Sequence, residues 1–338
     1  MSEERRGALR RILAIRGMPQ VITVTVGLLL IFVAFSMLSE NFTSSRNLRN
    51  LLRQLAPILI IGIAQSYVLI TGNIDLSIGS VVGMSCMISA TLMTRGVSPL
   101  AAVAVTIVCC LLIGLLNGQL VALCGLPPFI ATLGTMTIAR GIAQIVNDNR
   151  NTDSIGEAAR GFRNLFYYGE VSIGGLRIFN TVIIAAVLWV VFNFILSSTR
   201  TGRHIYAAGS NIEAARMSGV NINRTVTAAY LVSAFCSCVV GFITCATGGV
   251  GTMDAGNMYE MYAVAASVIG GVSTLGGQGL LLGTVIGASI WSVLQNGLVL
   301  SGAAVAIRNI AVGIIVVISV LLDIVVRNGK WLKKKGTA

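Results

Sequence analysis

The chain has 338 residues, enough for two soluble domains, but 55% of them are apolar and only 11% are charged. A mean hydropathy of +0.86 excludes an ordinary soluble protein and indicates a polytopic membrane protein. The net charge of +12 does not indicate nucleic-acid binding, because the basic residues lie mainly at the termini and in loops.

Ten apolar segments have about the length needed to cross the hydrocarbon layer, so the sequence predicts an all-α membrane protein with about ten transmembrane helices. The predicted spans are 21–38, 54–71, 78–94, 100–123, 127–147, 178–197, 225–247, 258–272, 279–300 and 303–326. An even number of crossings puts both termini on one side. The cytoplasm is that side, because five basic residues precede the first span, four lie in 198–224 and five follow the last span, against eight in the outside loops.

The two ends of the chain are basic and flank a single predicted transmembrane domain, residues 21–326. Residues 1–20 carry five arginines before the first apolar run, and no small-residue cleavage site follows. We therefore expect a retained first span with a cytoplasmic N-terminus. All four lysines lie in the tail, residues 327–338, which predicts a cytoplasmic C-terminus as well.

Two predicted outside segments are unusual. Arg46, Arg49 and Arg53 place three positive charges outside, just before the second span, against the charge rule. They recur at helical spacing with leucines between them, so we expect an amphipathic helix at the membrane interface. The segment 148–177 is the long outside loop. It either only connects two spans or contacts a soluble partner.

The sequence TGNIDLSIGS, residues 71–80, ends one apolar run and starts the next. In lipid, non-helical backbone persists only where protein or a water-filled cavity satisfies its polar groups, and broken helices of transporters often line the route. Asp75 is an isolated acidic residue of the predicted membrane domain, which makes it a candidate functional carboxylate. It is also a candidate N-cap that accepts hydrogen bonds from the amides of Ser77 and Ile78, and the two roles do not exclude each other.

Two further polar segments follow in the second half, 246–262 on the predicted outside and 270–279 on the predicted inside. The letters TGN at 71–73 and TGG at 247–249 are similar. This similarity suggests an internal repeat in which spans 2–5 match spans 7–10. The two copies would then have opposite orientations in the membrane, as in inverted-repeat transporters.

Glycines, cysteines and isolated arginines within the spans are predicted to serve packing. Spacings that let helices approach closely occur at Gly79 with Gly83 and at Gly283 with Gly287. Seven cysteines without a CxxC pair, together with one histidine, predict neither a disulfide nor a metal site. Arg140 and Arg308 are expected to snorkel or to pair. The motifs GxxxxGK[ST], HExxH and GxSxG are absent, so we assign no catalytic residue.

The longest polar passage in the second half is 201–224, which lies between two apolar runs. Ser210 and Asn211 can cap a short helix there, Glu213 falls in its first turn and Gly219 can end it. The sequence thus predicts a helix of about two turns at the membrane face. Its few charges and small apolar face suit docking into a groove on another protein, whereas the simpler interpretation is a solvated loop.

Five segments in the same order resemble the permease subunits of bacterial ATP-binding-cassette importers for ribose and related monosaccharides. They are TGNIDLSIGS at 71–80, PFIATLGTMTIARG at 128–141, TRTGRHIYAAGSNIEAARMSGVNI at 199–222, YEMYAVAASVIGGVSTLGGQG at 259–279 and GTVIGASIWSVLQNGLVLSG at 283–302. The resemblance implies a multi-pass protein of the bacterial inner membrane. Such a subunit forms the pathway for a ribose-like sugar or polyol and catalyses no reaction itself.

The resemblance also implies the partners. The region 198–224 is expected to dock onto a cytoplasmic ATPase subunit, which binds ATP and Mg, whereas no cofactor or metal is expected on this chain. The residues implied in this coupling are Gly209, Asn211, Glu213, Ala214, Ala215, Arg216, Ser218 and Gly219. A periplasmic sugar-binding protein delivers the substrate in that family. A second copy of the permease, in a homodimer within the bilayer, completes the pathway.

A pathway for a neutral sugar needs polar groups that attract it weakly, since a tight site would trap the cargo. The candidate pathway residues are Asn73, Asp75, Ser77, Thr132 and Asn296. Two positions depart from the family pattern. Asn73 stands where a second glycine is usual, and Met261-Tyr262 stands where Leu-Asp is usual, so the sequence leaves the sugar unspecified.

The alternative is a proton-coupled secondary transporter that uses Asp75, Asp254 or Glu260, with a channel as a weaker third hypothesis. A neighbouring gene for a two-domain ATPase would favour the importer. Absence of such a gene would favour the other two.

Overall fold

The computed structural model describes residues 18–174 and 176–328, most of which are helical. The first five helices are α1 (Met18–Leu38), α2 (Ser45–Ile70), α3 (Ile78–Thr94), α4 (Pro99–Ala122) and α5 (Pro128–Ile145). Ser44 and Ser98 cap α2 and α4, since each side chain accepts a hydrogen bond from an amide in the first turn. Pro99 and Pro128 begin α4 and α5, where a missing N–H costs no intrahelical bond.

A folded loop separates the two halves of the chain. It contains a 3-10 turn (Glu157–Ala159), α6 (Arg160–Arg163), a π-helical turn (Asn164–Tyr168) and the strands β1 (Glu170–Ile173) and β2 (Leu176–Phe179). The strands pair antiparallel, with Glu170 opposite Phe179. Phe162 and Phe166 are buried, and their rings lie 4.9 Å apart. The predicted outside loop is therefore a packed unit.

The second half contains α7 (Asn180–Ser198), α8 (Arg200–Ser210), α9 (Ile212–Met217), α10 (Ile222–Gly248), α11 (Tyr259–Ile269), α12 (Leu281–Leu300) and α13 (Val305–Asn328). Gly249 ends α10 in the left-handed conformation, with a φ of 68°, and its N–H bonds to the Cys245 carbonyl. Phe242 of α10 packs on Phe162 and Phe166 of the loop. The loop is thus fixed to the end of α10.

Each of the ten predicted spans coincides with a helix, and most boundaries agree within a few residues. Within the described residues, α1, α2, α4, α7, α10 and α12 are long and apolar enough to cross a membrane, while α3 and α11 are shorter apolar helices. The predicted all-α membrane class is confirmed. The number of crossings and the side of each terminus stay predictions, and residues 1–17 and 329–338, with their basic side chains, lie outside the described residues.

The helix predicted around Arg46, Arg49 and Arg53 is present, but it is continuous with the second span, and its position at the interface stays a prediction. These residues lie in the first turns of α2, a continuous helix of 26 residues. Arg49 forms an ion pair with Glu170, with 2.6 Å between the nitrogen and the carboxylate oxygen. The guanidinium of Arg53 lies 4.2 Å from the centre of the Tyr167 ring. Arg49 and Arg53 therefore contact the folded loop.

Helices α2 and α10 form the centre of the molecule. In each, 78% of the most apolar stretch is buried, compared with 11% in α1 and 28% in α4. The outer helices turn leucines and valines outward, as lipid-facing helices do, whereas α2 and α10 bury serine, tyrosine and glycine as well.

The central helix of each half of the chain packs on helices of the other half, an arrangement that we call the exchanged packing. Helix α2 packs on α11 and α12 of the second half, while α10 packs on α3 and α4 of the first half, and α2 and α10 pack on each other. A serine joins each exchanged pair. The Ser85 hydroxyl of α3 donates to the Cys238 carbonyl of α10 at 2.8 Å, and the Ser267 hydroxyl of α11 donates to the Gly62 carbonyl of α2 at 2.9 Å.

The glycine spacings serve close packing, as predicted. A methyl group on Gly283 or Gly287 would collide with backbone of α11, at Gly270 and Ala266. Gly79 and Gly83 instead make room for the 253–260 segment, because a methyl group on either would meet that segment's backbone carbonyls.

Candidate functional site

The helix predicted within 201–224 is present as α9. The Asn211 side chain accepts a hydrogen bond from the Ala214 amide at 2.9 Å, so Asn211 is the N-cap. Glu213 lies in the first turn and Arg216 in the last, where their charges suit the helix dipole. Gly219 follows with a φ of 82°, a conformation that glycine adopts without strain.

Helix α9 projects from the molecule. Glu213 and Arg216 are largely exposed and pair with each other at 3.1 Å, and Met217 beside them is 90% exposed. Of the predicted coupling residues, those that are exposed are Asn211, Glu213, Ala214, Arg216, Ser218 and Gly219. Ala215 is buried and faces the protein, and Gly209 is half-buried. An exposed methionine on a short projecting helix is a surface suited to a partner's groove.

Gly209 forms the base of this helix, in a backbone junction. A methyl group on Gly209 would collide with the Ile70 carbonyl at the end of α2. The same carbonyl accepts the Gly277 N–H at 2.8 Å. A methyl group on Gly276 would in turn meet the backbone of Gly72 and Gly209. We call this contact region the junction. It consists of the end of α2 with Gly72, of Gly209 and of the 273–279 loop. Their backbones lie too close together for a side chain to fit at Gly209 or Gly276.

Helix α8 is held beneath α9 by a capped start and a buried tyrosine. The Thr199 hydroxyl oxygen accepts a bond from the Gly202 amide, and Ile205 is fully buried. The Tyr206 hydroxyl donates to the Gly279 carbonyl at 2.6 Å. Burial raises the pKa of Tyr206 to about 12, so this donor stays protonated at physiological pH. The 273–279 loop is therefore tied to α8 as well as to α2.

Asp75 follows the junction and is 2% exposed. One carboxylate oxygen accepts both the amide and the hydroxyl of Ser77, at 2.8 and 2.6 Å, and the other accepts the hydroxyl of Ser233 on α10 at 2.7 Å. The predicted cap role is wrong in detail, because Ser77 occupies the N-cap position of α3. Asp75 instead joins the start of α3 to α10.

The hydrogen-bond network of Asp75 extends to two more helices. Asn117 of α4 donates to the Ser77 hydroxyl oxygen at 2.9 Å, and the Thr135 hydroxyl of α5 donates to Asn117 at 2.6 Å. All five side chains are buried. Sequence reasoning missed Asn117, Thr135 and Ser233, since single polar residues within apolar runs carry no local signal.

Of the other predicted pathway residues, Thr132 contacts this network only through its carbonyl, which accepts the Thr135 hydroxyl at 3.2 Å. Thr132 is buried one turn from Thr135, but its hydroxyl donates to the Pro128 carbonyl. Asn73 bonds to Thr71 beside it. Asn296 of α12 exchanges hydrogen bonds with Asn47 of α2. The five predicted residues are therefore spread over several sites, and only Asp75 and Ser77 touch.

Polar residues also meet along the segment 253–262, which packs on α3 from Gly83 to Gly79. Arg140 of α5 donates to the carbonyls of Met253 and Ala255, at 2.8 and 2.9 Å, and so pairs with backbone. Glu260 is half-buried at the start of α11, and Asp254 is exposed. Tyr262, which departs from the resembled pattern, stacks on Trp291 with ring centres 4.9 Å apart. Within the described residues, no three acidic, cysteine or histidine side chains are placed to hold a metal ion.

Comparison with known proteins adds to this geometry. The model of a family described as the permease component of branched-chain amino acid transport systems matches residues 47–320. A ribose import permease protein of Bacillus subtilis is 33% identical over 309 residues, which cover 91% of this chain and 94% of the relative. A galactose/methyl galactoside import permease protein of Escherichia coli is 34% identical over 329 residues, covering 92% and 95%.

A D-allose transport system permease protein of Escherichia coli is 33% identical over 298 residues, which cover 88% of this chain and 89% of the relative. No solved structure matches the chain.

Proposed function

The chain belongs to the family of permease components of branched-chain amino acid transport systems, and on that premise we propose that it is the membrane subunit of an ATP-binding-cassette importer for a monosaccharide. It is a multi-pass protein of the bacterial inner membrane. It forms the pathway and leaves ATP hydrolysis, with ATP and Mg, to a partner subunit.

A sugar is favoured over an amino acid as the cargo. The family description names branched-chain amino acids, but the relatives quoted above, each covered over about nine-tenths of its length, are named for ribose, galactose and allose. Apart from the Asp75 carboxylate, which is held by Ser77 and Ser233, the buried polar side chains are hydroxyls and amides, which bind a neutral polyol without a charged partner. The soluble receptor would share in selecting among these sugars.

The observation that carries the coupling proposal is the junction beneath α9. ATP-driven closure of the partner subunits would displace α9 through its exposed face, with Glu213, Arg216 and Met217 in contact. Gly209 would pass this motion to the end of α2 and the 273–279 loop, because no side chain lies between them. Nucleotide can then favour one state of the pathway, which is what alternating access requires.

The topology belongs to the same proposal. Ten crossings put both termini, the junction and the 198–224 region in the cytoplasm, and the folded loop 148–177 in the periplasm. There the loop is positioned to meet a periplasmic sugar-binding protein. The exchanged packing of α2 and α10 supports an inverted repeat of spans 2–5 and 7–10. A second copy of the permease would complete the pathway as a homodimer.

A proton-coupled transporter is not favoured. The quoted relatives are named as import or transport-system permeases. Asp75 is held by three donors within the interior, and Asp254 is exposed. Glu260 lies against Gly79 in the first turn of α3 but takes no part in the described hydrogen bonds of Asp75. The polar network of Asp75, Ser77, Asn117, Thr135 and Ser233 is a better candidate for the movable part of the pathway wall than for a proton relay.

The experiment that tests the proposal is charge reversal on α9 in the complete complex. Glu213→Lys leaves membrane insertion intact, because the side chain is exposed and its ion pair with Arg216 contributes at most about 1 kcal/mol. We expect ATP hydrolysis to continue while sugar uptake falls at least roughly tenfold, since a like charge at a docking face costs about 1.4 kcal/mol or more.

Glu40→Lys, in the turn between α1 and α2, is the matched control, because Glu40 is also exposed but lies on the opposite predicted side and outside the folded loop. Its uptake should match wild type. Uptake at the wild-type rate by Glu213→Lys would contradict the coupling role of α9.

A further inference from the structure

A cavity of about 370 Å³ lies between α2 and α10 at the predicted outer end of the molecule, and none of the candidate pathway residues lines it. Its wall includes Arg53, Gln54, Tyr167, Thr244, Thr247 and Tyr259. Gln54 and Thr247 are exposed, so the cavity opens at the surface between them. Binding sites for small ligands have volumes of about 300–1,000 Å³ and mix apolar walls with a few convergent polar groups, as this cavity does.

The cavity presents hydrogen-bond acceptors from both central helices. Pro57 lies in its wall and inside α2, and proline has no N–H to donate to the carbonyl four residues earlier, which belongs to Arg53. On α10, the hydroxyls of Thr244 and Thr247 donate to the Val240 and Ile243 carbonyls, at 2.9 and 2.7 Å. Each threonine has thereby used its single hydrogen and keeps oxygen lone pairs for a ligand.

The donors of the cavity are preorganised. The guanidinium of Arg53 lies 4.2 Å from the centre of the Tyr167 ring and 3.6 Å from that of Phe179, so two aromatic faces hold it in place. One terminal nitrogen donates to the Tyr167 carbonyl at 3.3 Å. A guanidinium fixed in this way has further N–H groups on its terminal nitrogens, which suit a ligand that offers oxygens.

We propose that this cavity binds the neutral monosaccharide on its way from the receptor into the pathway, with Arg53 and Gln54 donating to sugar hydroxyls and Thr244 and Thr247 accepting from them. Hydroxyl groups both donate and accept, which matches the mixed wall. The rings of Tyr167 and Tyr259 provide flat apolar faces for the sugar's C–H groups.

An anionic sugar derivative fits less well, although Arg53 is positive. Thr247 and Gly248 form the last turn of α10, whose C-terminal end carries the negative part of the helix dipole. The free lone pairs of the two threonines also repel a carboxylate. A neutral polyol meets neither cost.

This inference rests on the proposed function, so the experiment separates the two. The complete complex, with its ATPase and receptor, is reconstituted in vesicles, and ATP-driven uptake of radiolabelled D-ribose, D-galactose and D-allose is measured. For the best of these sugars, uptake is compared between wild type and the Thr244→Val, Thr247→Val double variant. Valine keeps the shape and removes the acceptors. Because the receptor is the same in all assays, its own preference cancels in the ratio.

Thr25→Val on α1 is the matched control, since its half-buried hydroxyl also donates to the carbonyl four residues earlier, at 2.8 Å, and Thr25 does not line the cavity. We expect uptake by the double variant to fall at least about fivefold, because each lost hydrogen bond weakens binding by about twofold to tenfold. Uptake by Thr25→Val should stay within about twofold of wild type.

A second readout excludes a merely structural effect. Deoxy analogues of the transported sugar, each lacking one hydroxyl, provide this readout. If the threonines bind a particular hydroxyl, removing that hydroxyl should lower uptake by wild type more than uptake by the double variant. The double variant has already lost the threonine oxygen that the hydroxyl would contact. Three results would overturn the site and leave the proposed function standing. They are equal uptake by wild type and the double variant, an equal loss of uptake in both proteins for every deoxy analogue, and stronger inhibition of uptake by a sugar acid such as gluconate than by the neutral sugar. Failure of the wild-type complex to take up any of the three sugars would overturn both.

Discussion

Gly209 is the residue at which the predicted cytoplasmic region meets the membrane helices most closely. Its backbone lies against the Ile70 carbonyl, and that carbonyl also accepts the Gly277 N–H. A side chain at this point would separate α8 and α9 from α2. Gly209 is half-buried and packs against this chain, and its predicted role in coupling to a partner stays a prediction.

Gly209→Ala is therefore expected to lower both stability and coupling. The added methyl group has no space, and overpacking of this kind costs about 1–3 kcal/mol. We expect a lower melting temperature and reduced sugar uptake by the purified, reconstituted complex. Gly134→Ala on α5 is the control, because nothing lies within 4 Å of the added methyl group. It should match or exceed wild-type stability. Equal melting temperatures for Gly209→Ala and wild type would rule out the tight junction.

Asp75 gives a second prediction at the level of a single residue. In Asp75→Asn, the remaining oxygen still accepts from Ser77, and the new amide donates to the Ser233 oxygen, which can accept as well as donate. We expect uptake to stay within about threefold of wild type, since a neutral hydrogen bond replaces a charge-assisted one. Asp75→Leu, which leaves Ser77 and Ser233 unpaired, should unfold more easily by roughly 2–4 kcal/mol.

The measurement is uptake against pH for the wild type and Asp75→Asn. Asp254→Asn on the exposed outer segment is the control. Loss of uptake only in Asp75→Asn, at unchanged melting temperature, would support the proton-coupled alternative.

At the scale of helices, sequence patterns identified the elements well and their connections poorly. The ten apolar runs each coincide with a helix of the structure. Asn211, Glu213 and Gly219 predicted α9 almost to the residue. The start of α2 was missed because its arginines interrupt the apolar run. Their partners Glu170 and Tyr167 lie more than a hundred residues away in the chain, beyond any local pattern.

The candidate site was predictable to the same degree. The short exposed helix and the broken segment around Asp75 have local signals, namely caps, glycines and an isolated charge. The network through Asn117, Thr135 and Ser233 does not, because its members become significant only after three helices pack together. Likewise, the short distance between Gly209 and Gly277 depends on how the end of α8 packs against the end of α2.

The serines between exchanged helices support a prediction at this scale. If the halves are structural repeats, Ser85 and Ser267 hold equivalent positions, and Ser85→Ala and Ser267→Ala should each destabilise the protein by about 0.5–1.5 kcal/mol. Ser289→Ala on α12 is the control, since its hydroxyl bonds only within its own helix. Melting temperatures of the three purified variants provide the measurement. A large effect of one serine and none of the other would argue against equivalent roles.

The whole molecule is organised around two central helices, each packed against the opposite half of the chain. This exchange makes the interior continuous across the halves, so that in the proposed mechanism a displacement at the junction would reach both. At one end of the central pair lie the junction and the projecting helix α9. At the other end lie the folded loop and the cavity of Arg53 and Thr247. An importer that contacts its ATPase on one side of the membrane and receives its sugar on the other would need these two regions at opposite ends.

The central claim is that α9 is the contact through which a nucleotide-hydrolysing partner drives this subunit. The most direct test is Met217→Cys, since Met217 is 90% exposed at the tip of α9. The parent chain serves as the control, because Cys124 is its exposed native thiol. In inside-out vesicles that contain the partner ATPase, a short thiol cross-linker should join Met217→Cys to the ATPase, and ATP should change the yield. Labelling of this cysteine by an impermeant thiol reagent added to intact cells, or no cross-link to the ATPase in either nucleotide state, would contradict the account.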